Sequence, residues 1–191
     1  MAVPTVVIER YMGGGKSYWT PWDGTAYGAE VEIGEIKNVS LKLSSTTADA
    51  TSMDSGIAKK VDKVVTAIDG VTSFTTQNMN KENMAMAMLG ELSTETFAIG
   101  DDLPDGTVAT VETIIPVIIG GVVPKIEGKL RVVSVNVAGT TNPVLEIPML
   151  SLTPSGDIRE YFADKHATLG FDGEIIETDG VFFKEYHMAK A

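Results

Sequence analysis

The sequence predicts a mainly β fold: a β-sandwich or barrel-forming subunit with one short α-helix at about residues 80–89, one long loop and terminal arms. Three observations predict this class. Segments rich in β-branched residues recur through the second half, with turn residues between them. One segment carries the signals that start and stop a helix. A polar stretch, 44–55, contains almost no large apolar side chain.

Composition bounds the organisation and the function of the chain. Its 191 residues are predicted to form a single domain, 1–191, with an N-terminal arm (1–30), a long loop (44–60) and a C-terminal arm (179–191). The absence of cysteine excludes disulfides, thiolate metal sites and cysteine nucleophiles. A net charge of −11 argues against a groove that grips nucleic-acid phosphates. Neither a signal peptide nor a membrane-spanning segment is predicted.

The first third of the chain is predicted to contain two strands and an irregular arm. Residues 5–9, TVVIE, have the composition of a strand. Residues 13–28 are rich in glycine and aromatics but follow neither the helical nor the strand period, which indicates an arm. Its apolar rings belong to Tyr18, Trp19 and Trp22, and they are expected to pack on a surface, either of their own domain or of a neighbour. Residues 31–43 alternate as a half-buried strand.

A hairpin and a helix are predicted after the long loop. Asp69-Gly70 is a strong hairpin turn signal, so residues 60–77 are expected to form two strands around it. Asn80 is suited to cap the helix and Gly90 to end it. The apolar face that the helix is expected to bury consists of Met84, Ala85, Met88 and Leu89.

The second half is predicted to be strands separated by turns, as in a sandwich or barrel. The predicted strands are 107–119, 128–137, 144–153, 167–176 and 181–187. The turn signals lie at 104–106, 120–121, 138–143, 154–157, 172–173 and 179–180.

Two short motifs resemble ligand-binding loops but lack part of each pattern. Residues 13–17, GGGKS, end like a phosphate-binding loop, but Arg10 stands where its first glycine belongs. Asp101, Asp105 and Glu112 match positions of a calcium loop, but Leu103 stands at a ligand position. A flexible arm and a solvated turn are the favoured interpretations. No catalytic residue, cofactor or metal is predicted, and an enzyme is the class least favoured.

The order of elements from residue 31 to 178 resembles that of the tail tube proteins of long-tailed bacteriophages. In that family a strand leads through a long loop into a hairpin, which runs into a short helix with the pattern xENxAxAxxG. The residues that match the pattern are Glu82, Asn83, Ala85, Ala87 and Gly90. Residues 145–176, with a Pro-Ser-Gly turn, are similar to the closing strands of the family.

The resemblance implies a structural virion protein, with a non-contractile tail favoured. Six subunits would form a ring, and rings would stack into the tube that conducts DNA from capsid to host. The implied partners are copies of the chain itself, the tape-measure protein, and the tail terminator and tip proteins. DNA would pass through an acidic lumen without specific binding, and neither a cofactor nor a membrane is implied. The protein would be made in the host cytoplasm and reside in the virion tail.

The resemblance also assigns contact residues and leaves two other classes open. The long polymerisation loop, 44–60, is the expected contact between rings, through Asp49, Asp54, Lys59 and Lys60. One alternative is a related ring protein, such as a tail terminator or a secretion-tube component. The other is a carbohydrate-binding β-sandwich module that stacks sugars on Trp19 and Trp22.

Overall fold

The computed structural model describes residues 13–52, 59–156 and 168–190. These residues form a mainly β structure with ten strands and one short helix, as predicted. The elements are β1 (Gly13–Pro21), β2 (Val31–Gly34), β3 (Ile36–Ser52), β4 (Lys59–Thr76), α1 (Lys81–Ala87), β5 (Glu91–Phe97), β6 (Thr113–Ile119), β7 (Ile126–Asn136), β8 (Thr141–Ser155), β9 (Leu169–Ile175) and β10 (Lys184–Ala189).

Eight of these strands form one antiparallel sheet that curls back on itself. The strand order is β2-β1-β7-β8-β9-β4-β3, and β10 pairs with β8 on the side where β9 also lies. Strands β2 and β3 stand at opposite ends of this order, yet Glu35 alone separates them in the chain. The two ends of the sheet must therefore approach each other, which is the geometry of a barrel-like sandwich. Strands β5 and β6 form a separate two-stranded sheet.

The core lies inside this curl and draws side chains from nearly every strand of the sheet. Phe74 of β4 and Phe171 of β9 are opposite one another, with ring centroids 5.3 Å apart. Stacked aromatic pairs contribute about 0.5–1.5 kcal/mol beyond the burial of their surface. Other fully buried or nearly buried side chains are Trp19, Ile33, Met84, Leu130, Ile147, Leu150, Leu152, Leu169 and Ile175.

A polar clamp holds the corner between β2 and β3. The clamp consists of four side chains that donate hydrogen bonds to three consecutive carbonyl oxygens. Asn78 and Asn83 donate to the Ile33 oxygen, both at 2.9 Å. Ser17 donates to the oxygen of Gly34 at 2.9 Å, and Thr76 to that of Glu35 at 3.1 Å.

Because the clamp is buried, its hydrogen bonds are needed to satisfy the polar groups of the corner. Ser17, Thr76 and Asn83 are essentially inaccessible to solvent, so the carbonyls they serve would otherwise lose their hydrogen bonds to water. Gly34 has φ +96°, and a Cβ there would lie 2.8 Å from the Asn78 amide nitrogen. The corner therefore requires a glycine at position 34, because any other residue would be strained at this φ and its Cβ would crowd Asn78.

The helix begins as the sequence predicts. The Asn80 side chain accepts a hydrogen bond from the amide of Asn83 at 2.7 Å and so caps the first turn. Met84 and Ala85 are buried, and Met88 and Leu89 are partly buried against the core. Gly90 follows the helix, and a Cβ there would lie 2.9 Å from the Ile119 oxygen. The helix is thereby fixed against β6.

The predicted N-terminal arm is wrong for residues 13–21, which form β1 inside the main sheet. Strand β1 pairs with β2 on one side and β7 on the other. The glycines that suggested irregularity serve close packing: a Cβ on Gly15 would lie 2.3 Å from the Val133 oxygen. Strand periodicity is hidden there because a glycine has no side chain to mark a face. The strand predicted at 5–9 lies outside the described residues.

The predicted loop at 44–60 and the turn at Asp69-Gly70 are also wrong. Strand β3 continues to Ser52 and β4 begins at Lys59, so most of the polar stretch is paired strand. Gly70 lies in the middle of β4, where a Cβ would come within 3.1 Å of the Ile175 and Leu43 side chains. The glycine therefore marks a close approach of strands rather than a turn.

The second half largely follows the predicted strands, with four corrections. The strand predicted at 107–119 begins only at Thr113, and β5 was not predicted at all. Asp172-Gly173 lies within β9 rather than in a turn, whereas Asp179-Gly180 does turn the chain, with positive φ at both residues. The predicted C-terminal arm contains β10, which pairs with β8.

We predict that Asn83→Asp lowers the free energy of unfolding by about 3–5 kcal/mol and Asn83→Ala by about 1–3 kcal/mol. In the parent chain the carbonyl oxygens of Ile33 and Asn78 accept hydrogen bonds from the side-chain nitrogen of Asn83. In the variant a carboxylate oxygen replaces this nitrogen and faces the two carbonyls. Burial favours the protonated acid, so the deficit of Asn83→Asp should grow as pH rises and shrink in acid. Urea unfolding at two pH values measures this. Equal, pH-independent losses in both variants would contradict the clamp.

Candidate functional site

A two-stranded extension of the sheet projects beyond the core. We call it the protruding hairpin and define it as residues 44–52 of β3 and 59–69 of β4. Nine residue pairs join its strands, from Ser44 with Asp69 to Ser52 with Lys59. Strand β9 pairs with β4 only from Gly70 to Thr76, so no third strand among those described pairs with the protruding hairpin. At about 3.3 Å per residue, it extends about 30 Å.

The protruding hairpin carries an apolar stripe on the face that continues the core. Residues paired across an antiparallel ladder share a face, and the face of buried Thr72 and its partner Leu41 continues along the hairpin. Its large apolar side chains are Ile68 and Val65, which are 49% and 53% exposed, and Leu43 at the base of the hairpin is 47% exposed. The Asp49–Lys63 pair lies on the same face towards the free end. An isolated two-stranded hairpin is marginally stable in water. We therefore expect another surface to cover the apolar side chains of this stripe.

The structure brings most of the predicted loop contacts to this hairpin. Asp49 lies opposite Lys63, while Lys60 and Lys59 lie opposite Thr51 and Ser52 towards its free end. Asp54 lies outside the described residues. Contact between rings through these residues stays a prediction.

The aromatic residues assigned to an arm pack on their own chain instead. Trp19 is 3% exposed and belongs to the core. The Arg131 guanidinium lies 4.5 Å from the centre of the Tyr18 ring and forms an ion pair with Glu30. The hydrogen bond to Glu30 raises the pKa of Arg131 further above its usual range. Sequence reasoning missed this cluster because its members lie on β1, β7 and the connection between β1 and β2.

Trp22 also has an internal partner. Its ring centroid lies 4.8 Å from that of Tyr27, whose hydroxyl donates to the Pro148 oxygen at 2.7 Å. Partial burial raises the pKa of Tyr27 above its ordinary value, so the hydroxyl remains a donor at neutral pH. The connection between β1 and β2 is thereby tied to β8.

The outer face of β8, β9, β4 and β3 is small, polar and acidic. One row across it joins Ser40, Ser73, Asp172 and Thr153, and the Ser40 and Ser73 hydroxyls are 2.6 Å apart. The next row contains Glu174 and Ser151, with Val71 and Lys42 towards the protruding hairpin. Asp172 and Glu174 are exposed. This face presents carboxylates and hydroxyls with few large side chains.

The second, smaller sheet carries the candidate calcium loop, and its carboxylates are used otherwise. Asp101 accepts from the Ala98 amide at 2.8 Å, and Asp105 accepts from the Thr107 amide and hydroxyl at 2.9 and 2.6 Å. The hydroxyl, followed by the amide, lowers the pKa of Asp105. Among the described residues no group of three or more His, Asp or Glu side chains is placed to hold a metal ion.

The described chain thus defines a mainly β protein with a protruding hairpin and an acidic outer face. The model of a family described as "Protein of unknown function UCP028589" matches residues 10–118, more than half of the chain, and the chain belongs to this family. No curated protein matches it. None of its described helices is long and apolar enough to cross a membrane.

We predict that the two tryptophans differ sharply in their contribution to stability. Trp19→Ala should lower the free energy of unfolding by about 3–5 kcal/mol, because it empties a site in the closed core. Trp22→Ala should cost about 1 kcal/mol, because its ring packs at the surface against Tyr27. Urea unfolding followed by circular dichroism measures both. Similar losses for the two variants would contradict the assignment of Trp19 to the core.

Proposed function

We propose that the chain is a major tail tube protein of a long-tailed bacteriophage, of the non-contractile type. Hexameric rings of it stack into the tube through which DNA passes from capsid to host, and its place is the virion tail. The observation that carries the proposal is the protruding hairpin, which extends about 30 Å from the core with a half-exposed apolar stripe. Such an element gains stability only when another surface covers it.

Open sheet edges also favour assembly. Among the described strands, β3 pairs with β4 alone along its 17 residues, and β10 pairs with β8 alone. Unpaired strand edges are templates for pairing with another chain, and a closed ring removes them. Register shifts between Thr46 and Thr47 and between Ala50 and Thr51 bend the protruding hairpin and limit indiscriminate pairing along its edge.

The acidic outer face suits the wall of a channel for DNA. Six subunits of −11 carry about −66 per ring, and like charge between wall and phosphate prevents adhesion. Asp172 and Glu174 support this role because both are exposed carboxylates on that face. Assembly on a tape-measure protein, with terminator and tip proteins at the ends, belongs to the same proposal.

The carbohydrate-binding alternative loses half of its stacking platform. A sugar needs an accessible ring face, and Trp19 is 3% exposed. The related ring-protein alternative differs in its product: it predicts rings that do not stack into long tubes.

Removing the protruding hairpin tests the proposal. We predict that replacing residues 45–68 by an Asn-Gly turn between Ser44 and Asp69 gives a folded chain that no longer forms tubes, because the replaced pairs lie beyond β9. Negative-stain electron microscopy at low and high protein concentration checks assembly, and circular dichroism checks folding. The full-length chain should form stacked rings or hollow tubes. Monodisperse monomers of the full-length chain under every assembly condition would overturn the proposal, as would tubes of the shortened chain.

Single substitutions on the apolar stripe provide a finer test. We predict that Ile68→Lys and Val65→Lys each raise the protein concentration needed for assembly about tenfold while leaving the monomer folded, because each puts a charge where apolar surface is to be covered. Ala48→Lys is the matched control, since Ala48 is exposed on the opposite face of the same hairpin. Sedimentation measures the assembled fraction. Equal effects of all three variants would contradict a role of the stripe.

A further inference from the structure

An apolar cleft lies where the helix meets the main sheet and the small sheet of β5 and β6. We call it the helix cleft, and its volume is about 310 Å³. Small-molecule sites typically enclose about 300–1,000 Å³, whereas well-packed interiors leave few gaps larger than a water molecule. The side chains that give it its apolar character are Trp19, Val31, Ile33, Ala85, Met86 and Leu92.

Hydrogen bonds between its walls hold the helix cleft in shape. The side chain of Asn83 on the helix donates to the Ile33 oxygen of β2 at 2.9 Å, which fixes the helix to the edge of the main sheet. The amide of Val123, in the connection after β6, donates to the Leu89 oxygen at 2.9 Å. The cleft is therefore formed before a ligand enters, so binding does not have to order its walls.

The charged groups of the helix cleft are all negative. Glu82 of the helix and Glu91 of β5 line it, and the described residues that line it include neither lysine nor arginine. The Lys81 ammonium lies 3.9 Å from the Glu82 carboxylate, which is longer than a hydrogen bond. Glu91 forms no ion pair with any described residue. Two carboxylates are therefore available to a cation that enters the cleft.

The small sheet beside the helix cleft adds to this negative charge. Residues 91–119, which comprise β5, β6 and their connection, contain six carboxylates and neither lysine nor arginine. A field of one sign attracts cations towards the cleft and repels anions. The electrostatics therefore disfavour a fatty acid or another anionic amphiphile, although the apolar walls alone would accept its chain.

We infer that the helix cleft binds a small organic ammonium ion with an apolar body. The apolar body packs against the side chains of Trp19, Val31 and Met86, and the ammonium group donates hydrogen bonds to the carboxylates of Glu82 and Glu91. Hydrogen bonds between two charged groups are stronger than those between neutral ones, so the amine is preferred to an alcohol of the same shape. The inference is independent of the proposed function, because the cleft shares no residue with the protruding hairpin.

Three probes with the same apolar chain and different head groups test the inference in the full-length protein. They are n-hexylamine, 1-hexanol and hexanoate. Trp22→Phe leaves Trp19 as the sole tryptophan, so its fluorescence reports on the cleft, and calorimetry of the parent chain checks the affinities. At low salt hexylamine should bind about tenfold more tightly than hexanol, and hexanoate should bind most weakly.

Two carboxylate pairs separate contact with the ligand from a general change of charge. Glu82→Gln with Glu91→Gln should bring the affinities for hexylamine and hexanol within about twofold of each other. Glu95→Gln with Glu112→Gln is the matched control, because it removes the same charge from exposed positions of the small sheet that do not line the cleft. It should leave the affinity for hexylamine within about twofold of the parent value. Circular dichroism verifies that both variants are folded.

A pair of neighbouring valines tests the location. Val123→Phe should weaken binding of hexylamine about tenfold, because the larger ring fills part of the cleft. Val122→Phe is the matched control, since Val122 is 50% exposed and does not line the cleft, and it should leave the affinity within about twofold. Equal losses in the two variants would overturn the location.

The remaining outcomes decide the ligand class. Absence of saturable binding of hexylamine below about 10 mM overturns the inference and leaves the proposed function untouched. Equal affinities of the parent chain for hexylamine and hexanol overturn the ammonium class. So does a loss of hexylamine affinity in the control carboxylate pair as large as that in the Glu82 and Glu91 pair.

Discussion

The corner between β2 and β3 is the constraint on which the rest of the structure depends. Three consecutive carbonyls, two of them on the buried residues Ile33 and Gly34, accept hydrogen bonds there from side chains of β1, β4, the helix and the segment before the helix. Because buried carbonyls without donors cost about 1–3 kcal/mol each, the corner forms only when all of these elements are in place. The clamp thereby links the two ends of the curled sheet to each other and to the helix.

Closure at this corner divides the chain into a core and two projections. Strand β4 is shared: its second half, from Gly70 to Thr76, pairs with β9 over the core, while its first half pairs with β3 alone. The protruding hairpin is therefore a direct continuation of two core strands, which fixes its base and direction. The separate sheet of β5 and β6 is held differently, through the end of the helix and the turn after β6. Both projections expose apolar side chains that a folded single chain leaves uncovered.

Local sequence signals were reliable where one residue determines the local structure. Asn80 caps the helix as predicted, and the Asp179-Gly180 signal does mark a turn. They failed where glycine serves packing between strands. Gly15, Gly70 and Gly173 all lie within strands, and a Cβ on any of them would crowd a neighbouring strand. A single sequence does not distinguish a glycine that turns the chain from one that lets another strand approach.

The sequence by itself determined the mainly β class, the cap and position of the helix, and most strands of the second half, because these follow from side-chain period and local hydrogen bonding. Only the tertiary structure decided that the polar stretch after residue 44 is paired strand. Its partner residues lie on another strand, and both of its faces are largely exposed to solvent, so its sequence shows no clear alternation of apolar and polar residues. The same holds for Trp19, which became a core residue because β1 lies between β2 and β7. In the sequence Asn83 is only one residue of a helix pattern. The fold brings the carbonyls of Ile33 and Asn78 to it, and its side chain donates hydrogen bonds to both. Contacts between distant residues decide these features, and a local pattern does not contain them.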